Sequence, residues 1–115
     1  MISNMLMVNR VYFNIYWADL NPVIGREQSG HRPVLVISND IENQMDNVTI
    51  IPITSLKSGR KVYPNEVLIT LENKEALLLC HQIRTISKQR IGKQMSTIEN
   101  KRLQKKITET LCIRF

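Results

Sequence analysis

The apolar residues of this chain arrive in short runs. Pro33–Ile37, Val48–Ile53, Glu66–Leu71 and Ala76–Cys80 are five or six residues long, and each is closed by polar or turn-forming residues. A helix needs about ten residues or more to bury a face, whereas a strand needs only four to eight, so these runs read as strands. Pro33–Ile37 is apolar throughout, as in a strand buried on both faces. Pro52 lacks a ladder donor and places Val48–Ile53 at a sheet edge or a bulge. An earlier strand is expected over Val11–Leu20, where Tyr12, Phe13, Ile15, Tyr16 and Trp17 are strong β-formers and Asn21-Pro22 signals a turn. Two loops separate these runs: a polar one bounded by Gly25 and Gly30, and a basic one over Leu56–Pro64. Gln82–Ile86 alternates polar with apolar, which puts Gln82 and Arg84 on one face of a strand.

Only at the end does the period change. Ser96-Thr97-Ile98-Glu99 reads as a capping box with Ser96 as the cap. After it, Ile98, Leu103, Ile107 and Leu111 recur at helical spacing, with Lys101, Arg102, Lys105 and Lys106 on the remainder of the surface. The expected class is a single antiparallel α+β domain, mainly β, over residues 1–115, with residues 1–10 as an N-terminal extension.

A chain of 115 residues supports one core, and its 43% hydrophobic and 23% charged residues exclude the disordered class. No run reaches the roughly 18–20 apolar residues of a membrane span. The N-terminus has no basic start and no small-residue cleavage site, so a cytoplasmic protein without membrane association is expected. Cys80 and Cys112 form no CxxC pair and read as reduced, inert fillers. Neither a metal nor another cofactor is expected. The net charge of +6 favours a polyanionic partner, and half of the sixteen Lys and Arg residues lie between Arg84 and Lys106.

Four segments in order carry a family resemblance. They are Trp17-Ala18-Asp19-Leu20-Asn21-Pro22, Gly25-Arg26-Glu27-Gln28-Ser29-Gly30-His31-Arg32-Pro33-Val34-Leu35-Val36-Ile37-Ser38, Ile51-Pro52-Ile53-Thr54-Ser55, and Gln82-Ile83-Arg84-Thr85-Ile86-Ser87-Lys88-Gln89-Arg90-Ile91-Gly92. Together they resemble the MazF/PemK (Kid) family of toxin ribonucleases from about Ile15 onward. The resemblance implies an SH3-like barrel of about five strands with a C-terminal helix. It also implies a homodimer, metal-independent cleavage of single-stranded RNA, and a cognate antitoxin whose acidic tail covers the RNA groove. There are departures. The family's Arg-Gly-Asp before the first strand is here Tyr12-Phe13-Asn14, and His81 replaces an acidic residue common before the glutamine.

Metal-free RNA cleavage uses the ribose 2′-hydroxyl as nucleophile, leaves a 2′,3′-cyclic phosphate and a 5′-hydroxyl, and needs the developing phosphorane neutralised. Arg32 suits that task. Its planar guanidinium holds two phosphate oxygens at once, and Pro33 restricts its backbone. The resemblance makes Thr54 its companion, placing a hydroxyl at a non-bridging or leaving oxygen. Glu27 is a candidate for orienting Arg32 or for acid–base work. His31 is the nearest histidine, but strand parity turns it away from Arg32 and favours a structural or RNA-adjacent role. Arg26, Gln28, Tyr63, Gln82 and Arg84 are the candidate RNA contacts, with Tyr63 able to stack on a base. The alternative is a non-enzymatic toxin of the CcdB kind, which shares the barrel and poisons DNA gyrase through an aromatic-bearing C-terminus, as Ile113-Arg114-Phe115 would allow.

Overall fold

The computed structural model describes residues 11–21, 30–39 and 44–114, the side chains of the last two excepted. Seven strands and one helix occur there: β1 (Asn14–Asp19), β2 (His31–Val36), β3 (Asn47–Ser55), β4 (Glu66–Leu71), β5 (Lys74–Leu79), β6 (Arg84–Ser87), β7 (Ile91–Thr97) and α1 (Lys101–Arg114). The strands form one antiparallel sheet in the order β4-β5-β3-β2-β1-β7, with β6 added to β3, and the sheet curls into a half-barrel. The expected class holds, and two strands more than the expected five are present.

β3 makes the curl. Its first half pairs with β6 over Asn47–Ile50 and its second half with β5 over Ile53–Ser55. Pro52 falls in the gap between these partners, so neither β6 nor β5 requires its missing N–H. Of the edge or bulge expected for this segment, the edge is corrected: β3 is central, and Pro52 is fully buried. Alternation along the central strands supplies two cores. Ile15, Leu35, Ile51 and Ile53 face one, with Val67, Leu78, Ile98 and Ile107. Ala18, Val34, Val48 and Ile50 face the other. Val34 and Leu35 thus enter opposite cores, as a strand buried on both faces requires.

The β4–β5 hairpin closes through Glu72 and Asn73, both left-handed at φ 50° and 64°. Positive φ at both central residues is the type I′ turn, whose twist matches the strands it joins. β5 begins at Lys74, two residues before the expected start at Ala76.

Helix α1 starts later than its sequence suggests. Asn100 is the cap: its Oδ1 accepts from Leu103 N–H at 3.0 Å. Ser96 and Thr97 lie in β7, opposite Ile15 and Asn14, because the open edge of β1 draws them into the ladder. Leu103 and Leu111 pack on the core beside buried Ile107, as the stripe predicts. Cys80 is buried, but Cys112 is exposed and so is not a filler, since it falls one residue off that stripe. Among the described residues, no helix is long and apolar enough to cross a membrane.

Phe13 explains the altered entry to β1. It carries φ 56°, a conformation that suits glycine, while its carbonyl accepts from Ile98 N–H at 2.9 Å. The chain makes this kink with a phenylalanine whose ring packs against the main core.

Candidate active site

The site forms where the half-barrel splits. β2 and β3 pair from Val36↔Ile50 to Val34↔Pro52 and no farther. Beyond that point β2 stays with β1 as far as His31↔Asp19, and β3 turns to β5. Continued past the last pair, the same register would set Arg32 opposite Thr54. Pro33 and Pro52 each lack an N–H at the level where the ladder stops. The divergence leaves a cleft of about 500 Å³, with Trp17, His31, Arg32 and Pro33 on one bank and Ile53, Thr54 and Ser55 on the other. Glu72, Lys74 and Glu75 of the hairpin and Met95 of β7 close it.

Thr54 and Ser55 also border a second hollow of about 250 Å³, together with Lys57, Arg60, Glu66, His81 and Gln82. Arg60, Glu66 and His81 in turn border a third hollow with Tyr63 and Pro64. These shared walls set the three hollows in a row, together called the groove, from Trp17 past Arg32 and Thr54 to Tyr63.

The far end of the groove is held by one carboxylate. Glu66 is buried at the start of β4 and accepts from both terminal nitrogens of Arg60, at 2.8 and 2.7 Å, and from Tyr63 N–H at 3.0 Å. The Arg60 hydrogen bond holds the Glu66 carboxyl below its ordinary range against the opposing effect of burial, with Tyr63 N–H and the nearby charges adding to it. Arg60 and Lys61 also lie 5.9 and 5.7 Å from the centre of the Tyr63 ring. The basic loop is thereby shaped around an exposed tyrosine. His81 has an enclosed Nδ1 without a hydrogen-bond partner, and its Nε2 lies 3.5 Å from Gln82 Nε2.

The structure therefore brings Arg32, Thr54, His31, Gln82 and Tyr63 to one groove. Two expectations from strand parity are corrected. His31 lines the cleft together with Arg32, because a slit between separating strands is bordered by side chains from both faces of the sheet. Gln82 does not share a strand face with Arg84, since it ends a 3₁₀ turn over Cys80–Gln82. Arg84 opens β6 opposite Ile50, four residues along β3 from Thr54, and lines none of these hollows. Arg26, Glu27 and Gln28 lie outside the described residues. Sequence reasoning missed the Arg60–Glu66 clamp and the hairpin charges. An acidic residue opening an apolar run just after a basic loop was the available signal for the clamp. Among the described residues, no three His, Cys, Asp or Glu side chains are grouped so as to hold a metal ion.

Residues 12–115 match the family described as PemK-like, MazF-like toxin of type II toxin-antitoxin system. The chain is 35% identical over 96 residues to the endoribonuclease EndoA of Bacillus subtilis, covering 80% of this chain and 83% of that one. Its fold is similar to the crystal structure of MazF from Deinococcus radiodurans, with a TM-score of 0.76 at 22% identity, covering 91% and 94% of the two chains. It is also similar to an endoribonuclease from a mycobacterial species solved in complex with its cognate antitoxin, with a TM-score of 0.71 at 20% identity over 90% and 92%.

Proposed function

This chain belongs to the PemK/MazF family of type II toxin–antitoxin toxins, and we propose that it is an endoribonuclease cutting single-stranded RNA at the Arg32–Thr54 cleft without a metal ion. The carrying observation is that cleft, where a guanidinium and a hydroxyl from strands that have just separated share one opening. A phosphodiester placed there would meet the Arg32 fork at its non-bridging oxygens, and the negative charge gained on 2′-hydroxyl attack would fall on that cation. Thr54 donates to an oxygen of the same phosphorus. The 2′-oxygen bonds to phosphorus, the 5′-oxygen departs and takes a proton, and the products carry 2′,3′-cyclic phosphate and 5′-hydroxyl ends. Glu27 is proposed to orient Arg32 or to take the 2′-proton. Gln82 and Tyr63 contact bases farther along, joined by Arg26 and Gln28 from the preceding loop. Arg84 is proposed to reach the RNA backbone from beyond the groove.

The test uses a long single-stranded RNA in EDTA. Cleavage to 5′-hydroxyl ends, lost in Arg32→Ala, supports the reading; intact RNA or 3′-hydroxyl ends would sink it. Gyrase-dependent DNA breaks would support the CcdB-like alternative instead.

The partners follow from the same reading. The groove bears Arg32, Lys57 and Lys74, with Glu72 and Glu75 on the hairpin wall and Arg60 held by Glu66, and its cations are proposed to meet an acidic antitoxin tail competing with RNA. A homodimer is proposed through the apolar hollow of about 370 Å³ lined by Tyr12, Tyr16, Val36, Val48 and Ile91, and sedimentation checks it. The cytoplasm, where messenger RNA is translated, is the proposed place of action.

A further inference from the structure

His31 lies flat on Trp17, with ring centroids 5.3 Å apart and planes within 10° of parallel. Both rings line the Arg32–Thr54 cleft. Trp17 is half-buried, whereas His31 is exposed, so the histidine is the outer layer of the pair. The register produces the stack. Trp17 pairs with Pro33 and Asp19 with His31, which makes Trp17 and His31 diagonal neighbours on one face, within reach of large rings. The support beneath is firm. Gly92 of β7 passes so close that a Cβ there would stand 3.3 Å from the Trp17 carbonyl oxygen. Beyond Trp17, the Arg90 guanidinium donates to the carbonyls of Asp19 and Asn21, and Asn21 Oδ1 accepts from Gly30 N–H. Each strand is thus anchored next to its ring.

We propose that the Trp17–His31 stack is a nucleobase platform: an unpaired base of the RNA lies on the outward face of His31, beside the phosphate held by Arg32. This rests on the nuclease reading and deepens it. Every base has a π-face, so such a platform binds without selecting sequence. In a duplex both faces of a base are covered by its neighbours, so the platform selects single strands. It gives His31 a binding role as a surface and not as a proton acceptor. His31→Phe separates the two roles, since it keeps a ring and removes the titratable nitrogens.

Trp17 is the only tryptophan, so emission under tryptophan-selective excitation reports on this stack without the three tyrosines. The titrant is a short single-stranded RNA, 2′-O-methylated to prevent cleavage, with anisotropy of an end label reporting binding independently. Binding is expected to change Trp17 emission. With cleavable RNA, His31→Ala is expected to raise KM about tenfold with a much smaller effect on kcat, while His31→Phe stays within about twofold of the parent in both. A large fall in kcat shared by His31→Ala and His31→Phe would overturn the proposal in favour of proton transfer. So would an unchanged KM in a folded His31→Ala protein, or RNA binding without any change in Trp17 emission. A parent that binds the methylated RNA with an emission change yet cuts no RNA fails the nuclease reading and leaves the platform standing.

Discussion

A guanidinium at position 32 can grip two oxygens of one phosphate, whereas an ammonium on a flexible stem offers the same charge without the fork. Arg32→Lys therefore separates charge from shape, and kcat is expected to fall about 100-fold or more while KM changes little. Thr54→Ala removes one donor and is expected to lower kcat about tenfold, with Thr54→Ser restoring most of it; steady-state kinetics on one RNA decides both. Glu66 sets a different dependence. Its carboxyl lies below its ordinary range when folded because of Arg60, so its contribution to stability is complete above the unfolded carboxylate range and is lost as pH falls through the folded value. The melting temperature of the parent should thus exceed that of Glu66→Gln at neutral pH, and the gap should shrink below about pH 4. Thermal scans across pH measure it; a gap that does not shrink contradicts the clamp. That Arg32 and Thr54 share a cleft was legible because a motif names them and strand order carries them. Glu66 was not, because its partner sits across a loop and its burial depends on the whole hairpin. For His31, parity alone pointed away from Arg32, because it describes a continuous sheet and the site lies where the sheet stops; the role beside the RNA expected for it is the one proposed above.

At the scale of elements, the runs of Val, Ile and Leu gave away β2 to β5, four of the seven described strands, since a buried strand leaves its apolar residues side by side. The boundaries that were misjudged share a cause: tertiary pairing overruled a local signal. Ser96 could cap a helix, yet the edge of β1 needed partners, so the helix waits for Asn100. β7 was hidden for the complementary reason, being exposed along most of its length and lacking an apolar stripe. The kink into β1 provides a test of backbone against side chain. Phe13 holds φ 56° while its ring packs on the core. Alanine and glycine both remove the ring, but only glycine relieves the left-handed backbone, which costs an L-residue about 1–2 kcal/mol. Phe13→Gly is therefore expected to be more stable than Phe13→Ala by about 1 kcal/mol, the reverse of their usual order within a strand. Denaturant unfolding of both variants checks the sign.

For the whole molecule, what matters is where the charge lies, because a net charge of +6 is equally compatible with a basic groove and a basic back. Lys101, Arg102, Lys105 and Lys106 stand exposed on α1 and line none of the hollows of the groove. Arg32 and Lys74 line the cleft itself. A cation that neutralises a phosphate of a bound single strand releases counterions and steepens the fall of affinity with salt by about 0.7 in the log–log slope, whereas a cation far from the strand leaves the slope alone. Binding of an uncleavable RNA over a salt series should therefore show a slope reduced by about 0.7 in Arg32→Gln and again in Lys74→Gln, and unchanged in a Lys101→Gln, Lys105→Gln pair. The helix pair would then weaken binding only slightly at low salt, through the long-range field that fades as the Debye length shortens. Equal losses of slope from both sets would mean that the strand wraps onto the helix and that the groove between Trp17 and Tyr63 is only part of the RNA path. A loss confined to the cleft set would fix that path along the split in the half-barrel, where the ladder stops at two prolines and Arg32 and Thr54 line one opening.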